Sequence, residues 1–243
     1  MSGHSKWTQI KRQKGTADQK RSSLFTKLAN TITIAAREKG GSLETNFKLR
    51  LAVDQARAAN MPKENIERAI KRGTGELAGG QIEKIIYEAI GPGGVGLVIE
   101  ALTDNKNRAV SSLRHVLGKY DGTLAGPNSM LWKFEQKGVL RLENFAEKIK
   151  DLENFELKLI DLGAEEITQE GLDLLIYTSP HNLQKIKEAL AGENYAFDYT
   201  EIEYVARQKT KISDKTLAEK LNALFEDLDN DPDINNYYSD ATI

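Results

Sequence analysis

The chain contains no cysteine. Disulfides, thiolate metal sites and a cysteine nucleophile are therefore excluded, and a reducing compartment fits. Histidine is almost as scarce, with only His4, His115 and His181, and no HExxH or other pair at metal-ligand spacing occurs. No apolar run approaches the ~20 residues that a helix needs to cross a bilayer. The basic N-terminus leads into polar, helix-like sequence rather than an apolar stretch, so it does not read as a secretory signal. These absences predict a cytoplasmic protein with no membrane partner, no metal and no cofactor.

What is present is charge, unevenly placed. The 243 residues are 40% hydrophobic and 29% charged, with a formal net charge of −2. That composition describes an ordinary globular chain of two or three domains. Residues 3–28 nevertheless hold seven Lys or Arg against a single acid, Asp18. Up to Gly75 there are 16 bases and 6 acids, a charge of +10, while the remainder carries 18 bases and 30 acids, or −12. A basic segment joined to an acidic body suggests a polyanionic partner for the first part. The plainer alternative is a solvated helical surface that happens to be basic.

The basic segment has helical periodicity. Leu24, Phe25, Leu28, Ile32, Ala35 and Ala36 form one apolar stripe, ended by Gly40-Gly41. A second helix is expected from about Asn46 to Asn60. A third has Pro62 in its first turn, Ile66, Ala69 and Ile70 inward, and a stop at Gly73. Together they predict a three-helix bundle.

After Gly75 the texture becomes mixed. Ile82–Ile90 and Val95–Leu102 are β-rich runs joined by Gly91-Pro92-Gly93-Gly94, a hairpin signal. A helix over Asn105–Leu117 and a strand near Met130–Phe134 follow. Next come a strand (Gly138–Leu142), a helix (Ala146–Leu162), strands at Ala164–Thr168 and Leu172–Thr178, a helix (Asn182–Ala191) and a strand (Tyr195–Tyr199). That order is the βαββαβ pattern of a ferredoxin-like domain. Glu201–Ala206, a helix over Asp214–Asp227 and Ile234–Ser239 are left to complete the earlier ββαβ. The expected fold class is α+β: an N-terminal three-helix domain (1–76) plus two α/β sandwich domains of ferredoxin-like type, one (137–200) inserted into the other (77–136 with 201–243).

An ordered series of motifs runs through this arrangement. Gly3-His4-Ser5-Lys6-Trp7, Phe25-Thr26-Lys27, Asn60-Met61-Pro62, Arg68-Ala69-Ile70 and Arg72-Gly73-Thr74-Gly75 resemble the YebC family. So do Tyr87-Glu88, Gly91–Gly94 and Thr103-Asp104-Asn105-Lys106-Asn107-Arg108, and the resemblance extends to about Tyr238. The family includes bacterial proteins named as probable transcriptional regulators and a mitochondrial translational activator of cytochrome c oxidase subunit I. The resemblance implies three domains around a cleft, with the helical one N-terminal. Ala125 and Asn128, where the family usually has glycine, and Met130, where it has valine, depart from the pattern, and the last strand is more polar than usual.

No catalytic constellation emerges. His115 falls inside a predicted helix beside Leu113 and Val116, and His181 sits at a helix start. Gly91–Gly94 lacks the Gly-Lys-Ser/Thr of a phosphate-cradling loop. Arg72-Gly73-Thr74-Gly75 reads either as a backbone phosphate cradle or as a plain helix stop. Glu226, Asp227, Asp229, Asp231 and Asp233 match no calcium loop and read as a solvated acidic end, or as a surface mimicking nucleic-acid charge toward a basic neighbour.

The nucleic-acid candidates are Lys6, Lys11, Arg12, Lys14, Lys20, Arg21 and Lys27 for phosphates. Trp7 is either a base-stacking residue or an anchor for the arm. Asn105, Asn107 and Arg108, at a strand-to-helix turn, either meet phosphate or, for the asparagines, cap the helix. The expected function is non-enzymatic: a nucleic-acid-binding regulator of gene expression acting on RNA or the ribosome, in translation, with a basic protein partner for the acidic body. The alternative is a DNA-binding transcriptional regulator, although no helix-turn-helix with a readable recognition helix stands out. A protein-only interaction module is the third class.

Overall fold

The computed structural model describes residues 18–78, 80–193 and 195–242. The chain begins with α1 (Asp18–Lys39), α2 (Phe47–Ala58) and α3 (Lys63–Thr74). It continues through β1 (Glu83–Ile90), β2 (Gly96–Thr103), α4 (Lys106–Lys119), β3 (Thr123–Leu124) and β4 (Phe134–Leu142). Next are α5 (Phe145–Lys148), α6 (Leu152–Leu162), β5 (Ala164–Glu170), β6 (Asp173–Thr178), α7 (Asn182–Ala191) and β7 (Tyr199–Ala206). The last elements are β8 (Thr210–Lys211), α8 (Lys215–Asn230), β9 (Ile234–Ser239) and β10 (Ala241–Thr242). Two compact units result: Phe134–Arg207 is one, and residues 18–133 with 208–242 belong to the other.

In the larger unit the apolar stripe of α1 does what its spacing predicts. Leu28, Ile32, Ala35 and Ala36 pack with Leu49, Ala52, Val53 and Ala56 of α2 and with Ile66 and Ala69 of α3. Asn46 organises the first corner. Its Oδ1 accepts from the Leu49 amide at 3.1 Å, and its Nδ2 donates to the carbonyls of Ala35 and Gly40 at 2.7 and 2.8 Å. One buried side chain thus satisfies main-chain groups at the end of α1 and the start of α2.

The third helix ends later than its sequence predicts. Gly75, with φ of 84°, is the C-cap of α3, and Pro62 stands at its N-cap. Gly73 is an interior residue. A Cβ there would lie 2.4 Å from the Thr33 carbonyl oxygen and 2.7 Å from the Ala36 Cβ, so glycine is what lets α3 lie this close to α1.

Behind the bundle is an antiparallel sheet of order β3-β1-β2-β9. Leu97, Ile99 and Ala101, alternating along β2, meet Leu113 and Leu117 of α4 and Leu221, Leu224, Phe225 and Leu228 of α8. Leu102 has the opposite parity and packs with Ile82 and with Ile34 of α1. Asn30 of α1 donates to the Leu102 carbonyl, and the Thr31 hydroxyl bonds Asn235 at 3.0 Å. The first helix is therefore shared between the bundle and the sheet.

The strand expected near Met130–Phe134 does not form there; a 3-10 turn at Leu131–Lys133 takes its place. The reason is Glu88, whose carboxylate accepts the amides of Asn128, Met130 and Leu131 at 2.6, 2.6 and 2.7 Å. Those donors are not available to a ladder. Asn128 has φ of 61°, a left-handed conformation in which asparagine is several-fold enriched over other non-glycine residues.

The smaller unit, 134–207, has strand order β5-β6-β4-β7 with every neighbouring pair antiparallel. With its helices this is the βαββαβ arrangement read from the sequence. Two boundaries differ. The segment 201–206, expected in the split layer, is the body of β7 and pairs with β4 from Phe134↔Ala206 to Arg141↔Tyr199. The helix expected over 146–162 is broken, because Asp151 starts a new helix by accepting the Asn154 amide at 3.1 Å.

Candidate nucleic-acid interface

Lys6, Trp7, Lys11, Arg12 and Lys14 lie outside the described residues, and Lys20 falls in α1 with no side chain described. Arg21 is exposed on α1 and lines a groove of about 470 Å³ between α1 and α3. Phe25, Ala29 and Ala69 supply its apolar lining, Ser22, Thr26 and Asn65 its neutral polar groups, and Arg68 and Arg72 its cations. No acid lines it. Arg68 and Arg72 are four residues apart on α3, hence on one face a single turn from each other. Both are exposed, and among the described residues neither makes an ion pair. Neither arginine is among the residues expected at the interface from sequence, although their i,i+4 spacing on α3 is a signal that the sequence carries.

Lys27, expected among the phosphate contacts, is not on the surface. It is buried, and its ammonium donates to the carbonyl of Asp229 at 2.7 Å, at the C-terminal end of α8. A helix C-terminus concentrates unsatisfied carbonyls and partial negative charge, and Lys27 supplies the cation.

The constellation at the start of α4 is also structural. Asn105 Oδ1 accepts the Arg108 amide at 3.0 Å, an N-cap, and Asn107 is exposed on the first turn. Arg108 is held by two carboxylates. Its Nε and Nη2 donate to the two oxygens of Asp233 at 2.7 Å each, and Nη2 reaches Asp104 at 2.9 Å. The bidentate fork holds the Asp233 carboxyl below its usual range even though burial works against the charge.

The acidic run is not a solvated end either. Asp229, Asp231 and Asp233 are buried. Tyr237 bonds Asp229, Ser112 bonds Asp231, and the Asp233 amide donates to Asp231 at 2.9 Å. Asp227, further out, takes bonds from Lys119 and Tyr120 at 2.8 Å each. Among the described residues no group of three or more His, Cys, Asp or Glu is placed to hold a metal ion. His115 and His181 are exposed.

Burial pushes the Lys27 ammonium down from 10.5 to about 8, against the pull of Asp229 and Asp231. Below pH 8 the folded and unfolded chains both hold the proton. Between about 8 and 10.5 the unfolded chain binds it more, so stability rises with pH through that window. The gap in unfolding free energy between the parent chain and Lys27→Met is expected to shift toward the parent between pH 7.5 and 9.5. The upper limit is about 1.4 kcal/mol per pH unit. Urea titrations at the two pH values measure it, and a constant gap would show that Lys27 titrates as a solvated amine.

Residues 5–76 match the TACO1/YebC protein N-terminal domain, and residues 82–241 match the TACO1/YebC second and third domain. A Thermotoga maritima protein named "Probable transcriptional regulatory protein" is 48% identical over 242 residues, covering 98% of this chain and 93% of its own. A Fervidobacterium nodosum protein of the same name is 46% identical over 243 residues, covering 100% and 94%. Among solved structures, a conserved hypothetical protein from Aquifex aeolicus is similar at a TM-score of 0.83 and 38% identity, over 93% of this chain and 92% of that one.

Proposed function

The chain belongs to the TACO1/YebC family, and from that premise we propose that it is a non-enzymatic regulator of gene expression. It acts by binding RNA on the ribosome through the basic face of its N-terminal helical segment, residues 1–76. The observation that carries this reading is the groove between α1 and α3, which gathers Arg21, Arg68 and Arg72 and, among the described residues, is lined by no acid. Residues 1–75 carry a charge of +10, against −12 for the rest of the chain. Phosphate contacts of this kind supply affinity through counterion release, largely without regard to sequence. Lys6, Lys11, Arg12, Lys14 and Lys20 are the further candidates for phosphate contacts, and Trp7 is the candidate for stacking on an unpaired base. The acidic body is repelled by a long duplex and suits basic proteins such as those among ribosomal RNA helices. Among the described residues no helix is long and apolar enough to cross a membrane, which leaves the cytoplasm as the proposed setting.

A second reading has one specific support. The curated relatives from Thermotoga maritima and Fervidobacterium nodosum are named as transcriptional regulators, which makes duplex DNA the competing target. A competition separates the two. Full-length protein bound to ribosomes is challenged with excess duplex DNA at about 150 mM salt, where weak phosphate attraction is partly screened. Retention on ribosomes, weakened by Trp7→Ala, is expected. Transfer to DNA with preference for one promoter sequence over scrambled duplex would establish the transcriptional reading instead.

A further inference from the structure

We infer that the groove between α1 and α3 is a site for an unpaired RNA strand, with one base against Phe25 and consecutive phosphates on Arg68 and Arg72. This deepens the reading above and rests on it.

The spacing of the cations comes first. Four residues of helix rise about 6 Å, the scale on which an extended strand presents successive phosphates. Arg68 and Arg72 offer two guanidinium groups at that interval along one wall. Arg21 comes from α1, across the groove. Guanidinium binds phosphate through two parallel N–H bonds, and neither Arg68 nor Arg72 is already engaged by an acid among the described residues.

The floor supplies the second argument. A purely electrostatic phosphate surface needs no aromatic ring, yet Phe25 lines this groove beside Ala29 and Ala69. Phe25 also packs against the bundle core, so its ring is held in place, and a base stacking on it loses little of the ring's freedom. Ser22, Thr26 and Asn65 line the same space. The Thr26 hydroxyl already donates to the Ser22 carbonyl at 3.1 Å, which leaves its lone pairs to accept from a base edge or a ribose hydroxyl.

Size decides between strand types. A volume of about 470 Å³ holds one nucleotide's base and sugar and cannot admit a double helix. A duplex lies across the rim, where its bases are stacked on one another and closed to Phe25.

The test uses the full chain with two fluorescent probes of equal length, a 12-residue oligouridylate and a blunt RNA duplex. Three variants are compared: Phe25→Leu, Phe25→Tyr and the double variant Arg68→Gln with Arg72→Gln. Circular dichroism melts identify any variant that has lost the bundle. Phe25→Leu is expected to weaken oligouridylate roughly five- to a hundredfold, the usual worth of one stacked base, and to leave the duplex unchanged. Phe25→Tyr keeps the ring and restores binding. The double variant should make the logarithmic salt slope for oligouridylate shallower by about 1.4, from two lost contacts at roughly 0.7 each.

Equal losses on strand and duplex would overturn the site as a single-strand groove and leave a general phosphate surface. No loss on either, with ribosome retention intact, would overturn the groove and place RNA binding on the arm. Loss of an acidic protein partner alone, with both RNAs bound normally, would also overturn it. Failure of the parent chain to bind any RNA would overturn the proposed function itself, which keeps the two failures distinct.

Discussion

Gly73→Ala is expected to lower the unfolding free energy by about 2 kcal/mol and the melting temperature by roughly 4–8 °C. The added Cβ would meet the Thr33 carbonyl oxygen at 2.4 Å and the Ala36 Cβ at 2.7 Å. Neither atom can rotate away, so α1 and α3 must separate. Overpacking of this kind costs about 1–3 kcal/mol, and the rigidity of both neighbours places Gly73 at the top of that range. Alanine's better helix propensity returns at most about 1 kcal/mol. Gly118 provides the opposite case on the same chain. It lies in α4, is exposed, and an added Cβ meets nothing within 4 Å. Gly118→Ala should therefore stabilise by about 0.5–1 kcal/mol. Thermal melts of the two variants should move in opposite directions, and an unchanged melting temperature for Gly73→Ala would mean that the two helices do not cross as closely as the geometry places them. Because the same crossing shapes the walls of the groove, Gly73→Ala should also weaken RNA binding.

The helical bundle and the order of elements were legible in the sequence because their signals are local. The stripe from Leu24 to Ala36, the glycines at the helix ends and the alternation of β2 each express the period of the element that contains them. Where reading failed, the deciding partner lay far along the chain. Glu88 holds the loop 128–131 from some forty residues away, and nothing in the run Met130–Phe134 announces it. Lys27 reads as a surface cation by composition, but its partner is the carbonyl of Asp229, about two hundred residues later. The acidic run looks solvated until Arg108, Ser112 and Tyr237 are brought to it.

The candidate site divides in the same way. Its charge could be counted, and Arg68 with Arg72 share a helix face by spacing alone. That Arg21 and Phe25 stand across from them depends on the α1–α3 crossing, which Gly73 permits and which no local pattern encodes. Arg108 shows the converse error: an exposed arginine beside two asparagines suggested a ligand, whereas Asp233 and Asp104 already complete it.

On the proposed reading the basic N-terminal segment, and not the acidic body, carries the affinity for nucleic acid. The most direct test is the salt dependence of RNA binding by the full chain with Lys6, Lys11, Arg12 and Lys14 all replaced by Gln. Each lost phosphate contact removes roughly 0.7 to 0.9 from the slope of log K against log salt, so four contacts should remove about 3. At about 50 mM salt, where these contacts are worth most, the affinity should fall by about two orders of magnitude or more. The loss should be nearly the same for oligonucleotides of different sequence, because phosphate contacts carry none. An unchanged slope and affinity, both in this variant and with Arg21, Arg68 and Arg72 also replaced by Gln, with the circular dichroism spectrum and melting temperature of the parent chain, would contradict the claim and move the binding surface to the acidic body.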